Sequence, residues 1–220
     1  MDHFSIGHYD GIILDFDGTM CFLFHNYNLS QTVEQIISDV HTLGVDITGI
    51  NDPFDAFNII IRQSVTDDLK TQALAIVDEL LSNAECAAVK ECMIVQGVLS
   101  FVSKLKEMKI PFGVATNNGN ACVELFLKKY GIYDHVPING RNVKHLELLK
   151  PNPWSIIKTA REMKIDLSKL LFIGDTPRDW EASQNAGCDF IGIAPTKKKR
   201  ERFDRVSYSE PLLNDYYDLI

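Results

Sequence analysis

Short apolar runs that stop abruptly at polar clusters constrain this chain more than any other feature. Gly11-Ile12-Ile13-Leu14 is too short for a helix, is rich in β-branched residues, and ends at Asp15. That pattern predicts a strand buried on both faces. Pro111–Ala115, Leu170–Ile173 and Asp189–Ile193 repeat it, and His135–Ile138 is a weaker instance. Between these runs the apolar residues fall at helical spacing. Val98, Phe101, Val102, Leu105 and Met108 form one stripe, and Val123, Phe126, Leu127 and Tyr130 form another. Ile156, Ile157, Ala160 and Met163 form a third, with Asn152 as N-cap and Pro153 at the first helical position. A last short helix is predicted from Pro177 to Gly187, where glycine suits a left-handed C-cap. Such alternation implies parallel strands joined by right-handed crossovers, with helices on both faces.

Residues 21–95 break the alternation for about 75 residues, longer than a plain loop. Val33, Ile36, Ile37, Val40 and Leu43 make a helical stripe behind Ser30 as N-cap. Leu69, Ala73, Ile76, Val77, Leu80 and Leu81 make another behind Thr66, and no strand signal lies between the two. The expected class is therefore α/β: a Rossmann-like, three-layer parallel-sheet core over residues 1–20 and 96–220. A small all-helical cap domain, residues 21–95, is inserted after the first strand.

Composition narrows the partners. A formal net charge of −8 disfavours nucleic acid, whose phosphates select positive surfaces. It leaves room for a phosphorylated small molecule, because a bound divalent cation inverts the local field of an acidic site. Cys21, Cys86, Cys92, Cys122 and Cys188 are scattered, with no CxxC pair and no zinc-like spacing to histidine. They read as thiols in a reducing compartment. Met1-Asp2-His3 opens without an apolar run or basic flank, so no signal peptide is expected. No run is long enough to span a bilayer. A soluble cytoplasmic protein, not bound to membrane and monomeric by default, is the expectation.

Parallel α/β sheets bind ligands beyond the carboxyl ends of their strands. Three predicted strands end in polar clusters: Asp15-Phe16-Asp17-Gly18-Thr19, Thr116-Asn117-Asn118, and Gly174-Asp175-Thr176-Pro177-Arg178-Asp179. Lys150-Pro151 precedes a predicted helix. Four carboxylates at one edge repel one another, and a hard cation with oxygen ligands, magnesium, relieves that. The cation and Lys150 offset the charge of a phosphate, whose remaining oxygens suit the Thr116 hydroxyl and nearby backbone N–H groups. One carboxylate is then a nucleophile towards phosphorus, and a second protonates the leaving oxygen and activates water.

These four clusters, in this order, resemble the motifs of the haloacid dehalogenase superfamily. Order, spacing and the helical insertion resemble its phosphoglycolate-phosphatase and phosphoglucomutase-like branch. The resemblance implies that Asp15 forms an aspartyl-phosphate and that Asp17 is the general acid/base. It implies that Thr116 and Lys150 hold the phosphoryl group, beside Gly18 and Asn117. Asp15, Asp175 and the backbone carbonyl of Asp17 would ligate Mg2+, with Asp179 supporting that shell. Dehalogenases of the superfamily lack the second aspartate of the first motif, so Asp17 favours phosphoryl chemistry. Two stretches depart from the family pattern: Met20-Cys21-Phe22-Leu23-Phe24, and Asn139-Gly140-Arg141 where relatives carry a Gly-Asp-Asp-like turn.

The expected activity is that of a phosphomonoester hydrolase on a small phosphorylated metabolite. A phosphomutase on a sugar phosphate uses the same residues, and a non-catalytic phosphometabolite-binding module is the third reading. Lys197-Lys198-Lys199-Arg200 reads as a solvated loop leaving a strand's carboxyl end, placed to help attract anions. Trp154 and Trp180 read as packing residues on helices.

Overall fold

Ile12, Ile13 and Leu14 expose no surface, and the strand they form, β1 (Gly11–Leu14), lies at the middle of a five-stranded sheet. The computed structural model describes residues 5–132 and 135–220, so the Met1-Asp2-His3 start lies outside the described residues. After β1 the chain forms β2 (Cys21–Phe22), α1 (Leu29–Thr42), α2 (Pro53–Arg62), α3 (Asp67–Ala88) and β3 (Met93–Ile94). Strand and helix then alternate: α4 (Val98–Met108), β4 (Phe112–Ala115), α5 (Asn120–Lys129), β5 (Ile138–Asn139), α6 (Trp154–Met163) and β6 (Leu170–Gly174). The last elements are α7 (Pro177–Ala186), β7 (Asp189–Gly192) and α8 (Lys197–Phe203).

The sheet order is β5-β4-β1-β6-β7, and every pairing is parallel. Leu14 sits opposite Val114 on one side and Ile173 on the other. Strand sequence alternates faces, so one strand feeds two cores. Ile12 and Leu14 join Phe101, Val123 and Phe126 of α4 and α5. Ile13 turns the other way, to Ile156 and Ala160 of α6 and Ala182 of α7. Fully burying each such side chain is worth about 1.5–3 kcal/mol. The weak run at His135 becomes a strand only at Ile138, because His135 itself takes a left-handed φ of 54°. Gly187 ends α7 at φ 77°, the left-handed cap its sequence calls for. Asn152 does bond the Trp154 N–H (2.9 Å), but Pro153 occupies the cap position, so α6 starts one residue later than its sequence suggests.

Helices α1, α2 and α3 enclose a core of their own, built on Val33, Ile36, Val40, Phe57, Ile60, Val77 and Leu81. Helix α1 begins at Leu29 behind Asn28, two residues before the Ser30 cap would allow. Thr66 caps α3 as expected, accepting from the Leu69 N–H (3.3 Å). The segment is not wholly helical. Its two ends zip together as an antiparallel ribbon, Cys21 opposite Ile94 and Phe22 opposite Met93. Helix α2 also lay unread between the two predicted stripes, although Asp52 caps it, Pro53 starts it, and Phe57 and Ile60 follow at helical spacing. Among the described residues no helix is long and apolar enough to cross a membrane.

Candidate active site

The carboxyl end of β1 runs straight into Asp15, whose N–H still bonds the Ile173 carbonyl of β6 (2.9 Å). Backbone pairing therefore fixes where this carboxylate stands. Asp15 Oδ1 meets Lys150 Nζ at 2.6 Å, and Asp15 Oδ2 accepts from the Thr19 hydroxyl (3.2 Å). Lys150 Nζ also donates to Asp179 Oδ1 at 2.5 Å, so one ammonium joins the first and last clusters. Asp179 Oδ2 accepts from the N–H groups of Asp175 and Thr176 (3.3 and 3.0 Å) and from the Thr176 hydroxyl (2.6 Å). It is at once the first-turn acid of α7 and a member of the charge cluster. Carboxylate oxygens of Asp15, Asp175 and Asp179 lie within 4.8 Å of one another.

Asp17 sits two residues beyond the nucleophile candidate, with Oδ1 accepting from the Leu23 N–H at 2.8 Å. Its carboxylate is not part of the three-aspartate group. Thr116 is buried at the end of β4, and its hydroxyl donates to Asn118 Oδ1 (3.0 Å). The Asn117 amide is committed at both ends to the Lys150 main chain, donating to its carbonyl (3.2 Å) and accepting from its N–H (2.9 Å). Its side chain therefore orients Lys150. The Gly18 N–H is given to the Cys21 carbonyl (2.6 Å), so it offers a phosphate no free donor. What the position requires is closeness: φ is 92°, and any Cβ there would strike the Asp175 carboxylate and Lys199 Nζ.

Asp15, Asp17, Thr116, Asn117, Lys150, Asp175 and Asp179 all line one cavity of about 160 Å3, with Phe54 of α2 above them. A larger cavity of about 550 Å3 adjoins it and shares Phe54, Asn117, Lys150 and Arg178. Apolar residues Phe57, Ile61, Leu74 and Leu146 form much of its wall. The carboxylate cluster thus sits at the sheet edge, while the neighbouring space is shaped largely by α2, α3 and the segment before Lys150.

Burial sets the electrostatics. It pushes Asp15 above the ordinary carboxylate range, against the pull of Lys150. Burial likewise raises Asp17 to about 6, despite the Leu23 N–H bond. Asp175 rises to about 7, again through burial, with Lys199 opposing and the charges of Asp179 and Asp15 adding. Burial pulls Lys150 down, but Asp15 and Asp179 outweigh it, and the ammonium is held above its usual value. A buried acid near 6 alternates between proton donor and acceptor close to neutrality.

Two groups in or beside this cluster were not anticipated. Lys199 belongs to a helix, α8, not a solvated loop, because Thr196 caps the run by accepting from the Lys199 N–H (3.3 Å). Its ammonium meets Asp175 Oδ2 at 2.6 Å and donates to the Gly18 carbonyl at 3.0 Å. Glu85, near the end of α3, is fully buried and takes Arg141 in a two-pronged pair at 2.9 and 3.1 Å. It also accepts from the Asn118 amide (2.9 Å) and the Gly119 N–H (3.0 Å). A charged residue on an otherwise amphipathic helix was the available signal for Glu85, and Arg141 was visible only as a departure from the family turn.

Residues 12–193 match the model of the haloacid dehalogenase-like hydrolase family. The chain belongs to that family. Among curated proteins it is similar to a phosphoglycolate phosphatase of Escherichia coli K12, 31% identical over 98 residues, 44% of this chain and 38% of that protein. A phosphoglycolate phosphatase of Pectobacterium atrosepticum is 27% identical over 121 residues, 54% of this chain and 50% of the other. The chain thus spans half or less of the curated relatives it matches. Among solved structures, a haloacid dehalogenase-like hydrolase from Bacteroides fragilis has a TM-score of 0.66 at 19% identity, covering 94% of this chain and 98% of the other. A variant of CbbY from Rhodobacter sphaeroides, in complex with xylulose-(1,5)bisphosphate, has a TM-score of 0.65 at 16% identity, covering 94% and 95%. At such identities the likeness is one of fold.

Proposed function

We propose that this haloacid dehalogenase-like protein is a magnesium-dependent phosphatase that hydrolyses a small phosphorylated metabolite through an aspartyl-phosphate on Asp15. The observation that carries the reading is the convergence of Asp15, Asp17, Thr116, Lys150, Asp175 and Asp179 on one small cavity at the sheet's carboxyl edge. The named activity of the phosphoglycolate phosphatases supports the reaction class.

The donor set fits magnesium. Three carboxylates within 4.8 Å offer oxygen only, the chemistry a hard divalent cation prefers. A cation already stands beside Asp175 and the Gly18 carbonyl in the form of the Lys199 ammonium. Asp15 and Asp175 would hold the metal, with the Asp17 carbonyl beside them and Asp179 behind. When bound, the metal supplies positive charge to the phosphoryl oxygens as charge builds on them.

The rest falls to the chain's own residues. Lys150 and the Thr116 hydroxyl bind the phosphoryl oxygens. Asp15 attacks phosphorus, forming the aspartyl O–P bond as the ester P–O bond breaks. Asp17 gives its proton to the departing oxygen and becomes a carboxylate. It then removes a proton from a water that attacks the same phosphorus, which frees Asp15 and inorganic phosphate. Helices α1–α3 act as a cap that limits bulk water, and the larger cavity receives the leaving group. The five free thiols suit a reducing, cytoplasmic setting.

Phosphate release from a generic aryl phosphate, with and without magnesium, tests the assignment. Metal-dependent release that falls to background in Asp15→Asn is expected. Full activity in that variant would sink the reading.

A further inference from the structure

The proposed mechanism gives Lys199 no task. Its placement is nonetheless built. Helix α8 is tied down by Arg200, which donates to the Leu212 carbonyl (3.2 Å) and to Asn214 (2.6 Å). Buried Phe203 at its far end packs on Tyr208, ring centroids 5.0 Å apart. Lys197 and Lys198 face solvent, whereas Lys199 turns inward with 14% of its side chain exposed. The ammonium lies 4.8 Å from the ring centroid of Phe22. Its partners are one carboxylate oxygen and one main-chain carbonyl, the ligand types a magnesium ion would seek at the same edge.

The charges make the consequence concrete. Four carboxylates, Asp15, Asp17, Asp175 and Asp179, line the cavity together with Lys150 and Arg178, and the Lys199 ammonium reaches Asp175 from beside it. Lys150 bridges Asp15 and Asp179, and among the described residues Lys199 is the cation paired with Asp175. Asp175 is buried, so its ionised form depends on a cation beside it. A second cation brought to Asp175 meets repulsion from the ammonium at short range and low dielectric.

We propose that Lys199 is an internal cation that holds Asp175 in the metal-free protein and yields it when magnesium binds, which sets a weak metal affinity. Lys199 is a positioning residue in this scheme, and the inference rests on the reading of the cluster as a metal site. The arrangement keeps the metal-free site folded and makes occupancy follow the free magnesium concentration.

Calorimetric titration of the full chain with magnesium chloride, alongside melting temperatures with and without the ion, tests this on wild type, Lys199→Met, Lys199→Arg and Lys198→Met. Lys199→Met is expected to bind magnesium roughly tenfold or more tightly than wild type. Its metal-free melting temperature should fall, and saturating magnesium should recover most of that loss. Lys199→Arg, which keeps the charge, should stay near wild type. Lys198→Met removes the same charge from an exposed neighbour and should change affinity less than twofold, which separates a local effect from net charge. Equal or weaker magnesium binding by Lys199→Met than by wild type would overturn the proposal while leaving the metal site intact. A loss of melting temperature that magnesium does not recover would also overturn it, as a merely structural role would behave that way. Binding by neither protein would remove the metal reading and this inference with it.

Discussion

The carboxyl edge of the sheet and the core of α1–α3 are built from opposite materials. At the edge, Asp15, Asp175, Asp179 and Lys150 are all buried, and each depends on named partners at 2.5–3.3 Å. Between α1, α2 and α3 the buried cluster is aliphatic and aromatic, with Ile36, Ile60 and Val77 fully enclosed. Apolar packing tolerates change if volume and pattern are kept. A buried charge loses its compensation when a single partner goes. The difference teaches where each kind of change should register: chemistry at the edge, fit and local stability in the helices. Glu85 and Arg141 stand where the two regions meet, and they follow the rules of the edge although Glu85 belongs to α3.

The sharpest test of that division is Asp17→Asn. Turnover should fall by about 10²–10⁴-fold with substrate affinity largely kept, measured by steady-state kinetics on any substrate the wild type accepts. Stability should move the other way. The Asp17 carboxyl rises from 3.8 unfolded to about 6 folded, so the folded state holds its proton more tightly. The resulting stabilisation is complete below pH 3.8 and is lost as pH rises through 6. Metal-free wild type should therefore lose roughly 2–3 kcal/mol relative to Asp17→Asn between pH 4 and pH 7, read by denaturant unfolding. Parallel profiles for the two proteins would break the electrostatic account.

Arg141→Ala tests the joint. It strands Glu85 fully buried, with the Asn118 amide and Gly119 N–H as its remaining partners among the described residues, and it also frees Asp78. A loss of roughly 3–5 kcal/mol is expected, whereas Arg141→Met with Glu85→Leu should recover much of it. If the single variant unfolds like wild type, the two regions are not held by this pair. The smallest effect belongs to the far wall of the larger cavity. Ile61→Ala trims an exposed apolar side chain. It should shift KM for a bulky phosphate ester by about tenfold or less, leaving kcat and folding unchanged. A large fall in kcat there would place chemistry, not fit, in the helical segment.

Parts of this architecture were open to reading residue by residue. The strands at β1, β4 and β6 announced themselves because four or five consecutive apolar residues ending in a polar cluster have few other uses. Asp15, Asp175 and Asp179 followed, since a parallel sheet gathers its strand ends at one edge. Helix α2 carries local signals too, the Asp52-Pro53 start and the spacing of Phe57 and Ile60, but it is short beside the longer stripes of α1 and α3. Lys150 was weaker, because nothing local distinguishes a lysine before a helix from a solvated one.

What the sequence determined by itself is the set of elements whose cause is local: continuous apolar runs, stripes of period 3.6, caps such as Thr66 and Gly187, and the polar clusters that end three of the strands. Tertiary structure alone decided the long-range partners of the charged side chains. Lys199 reaches Gly18 across 181 residues of chain and Arg141 reaches Glu85 across 56. No local pattern encodes either, because a charged side chain looks the same in sequence whether water or a buried carboxylate awaits it. Only the folded sheet, by taking water away from Asp175 and Glu85, turns those two cations from surface residues into necessities.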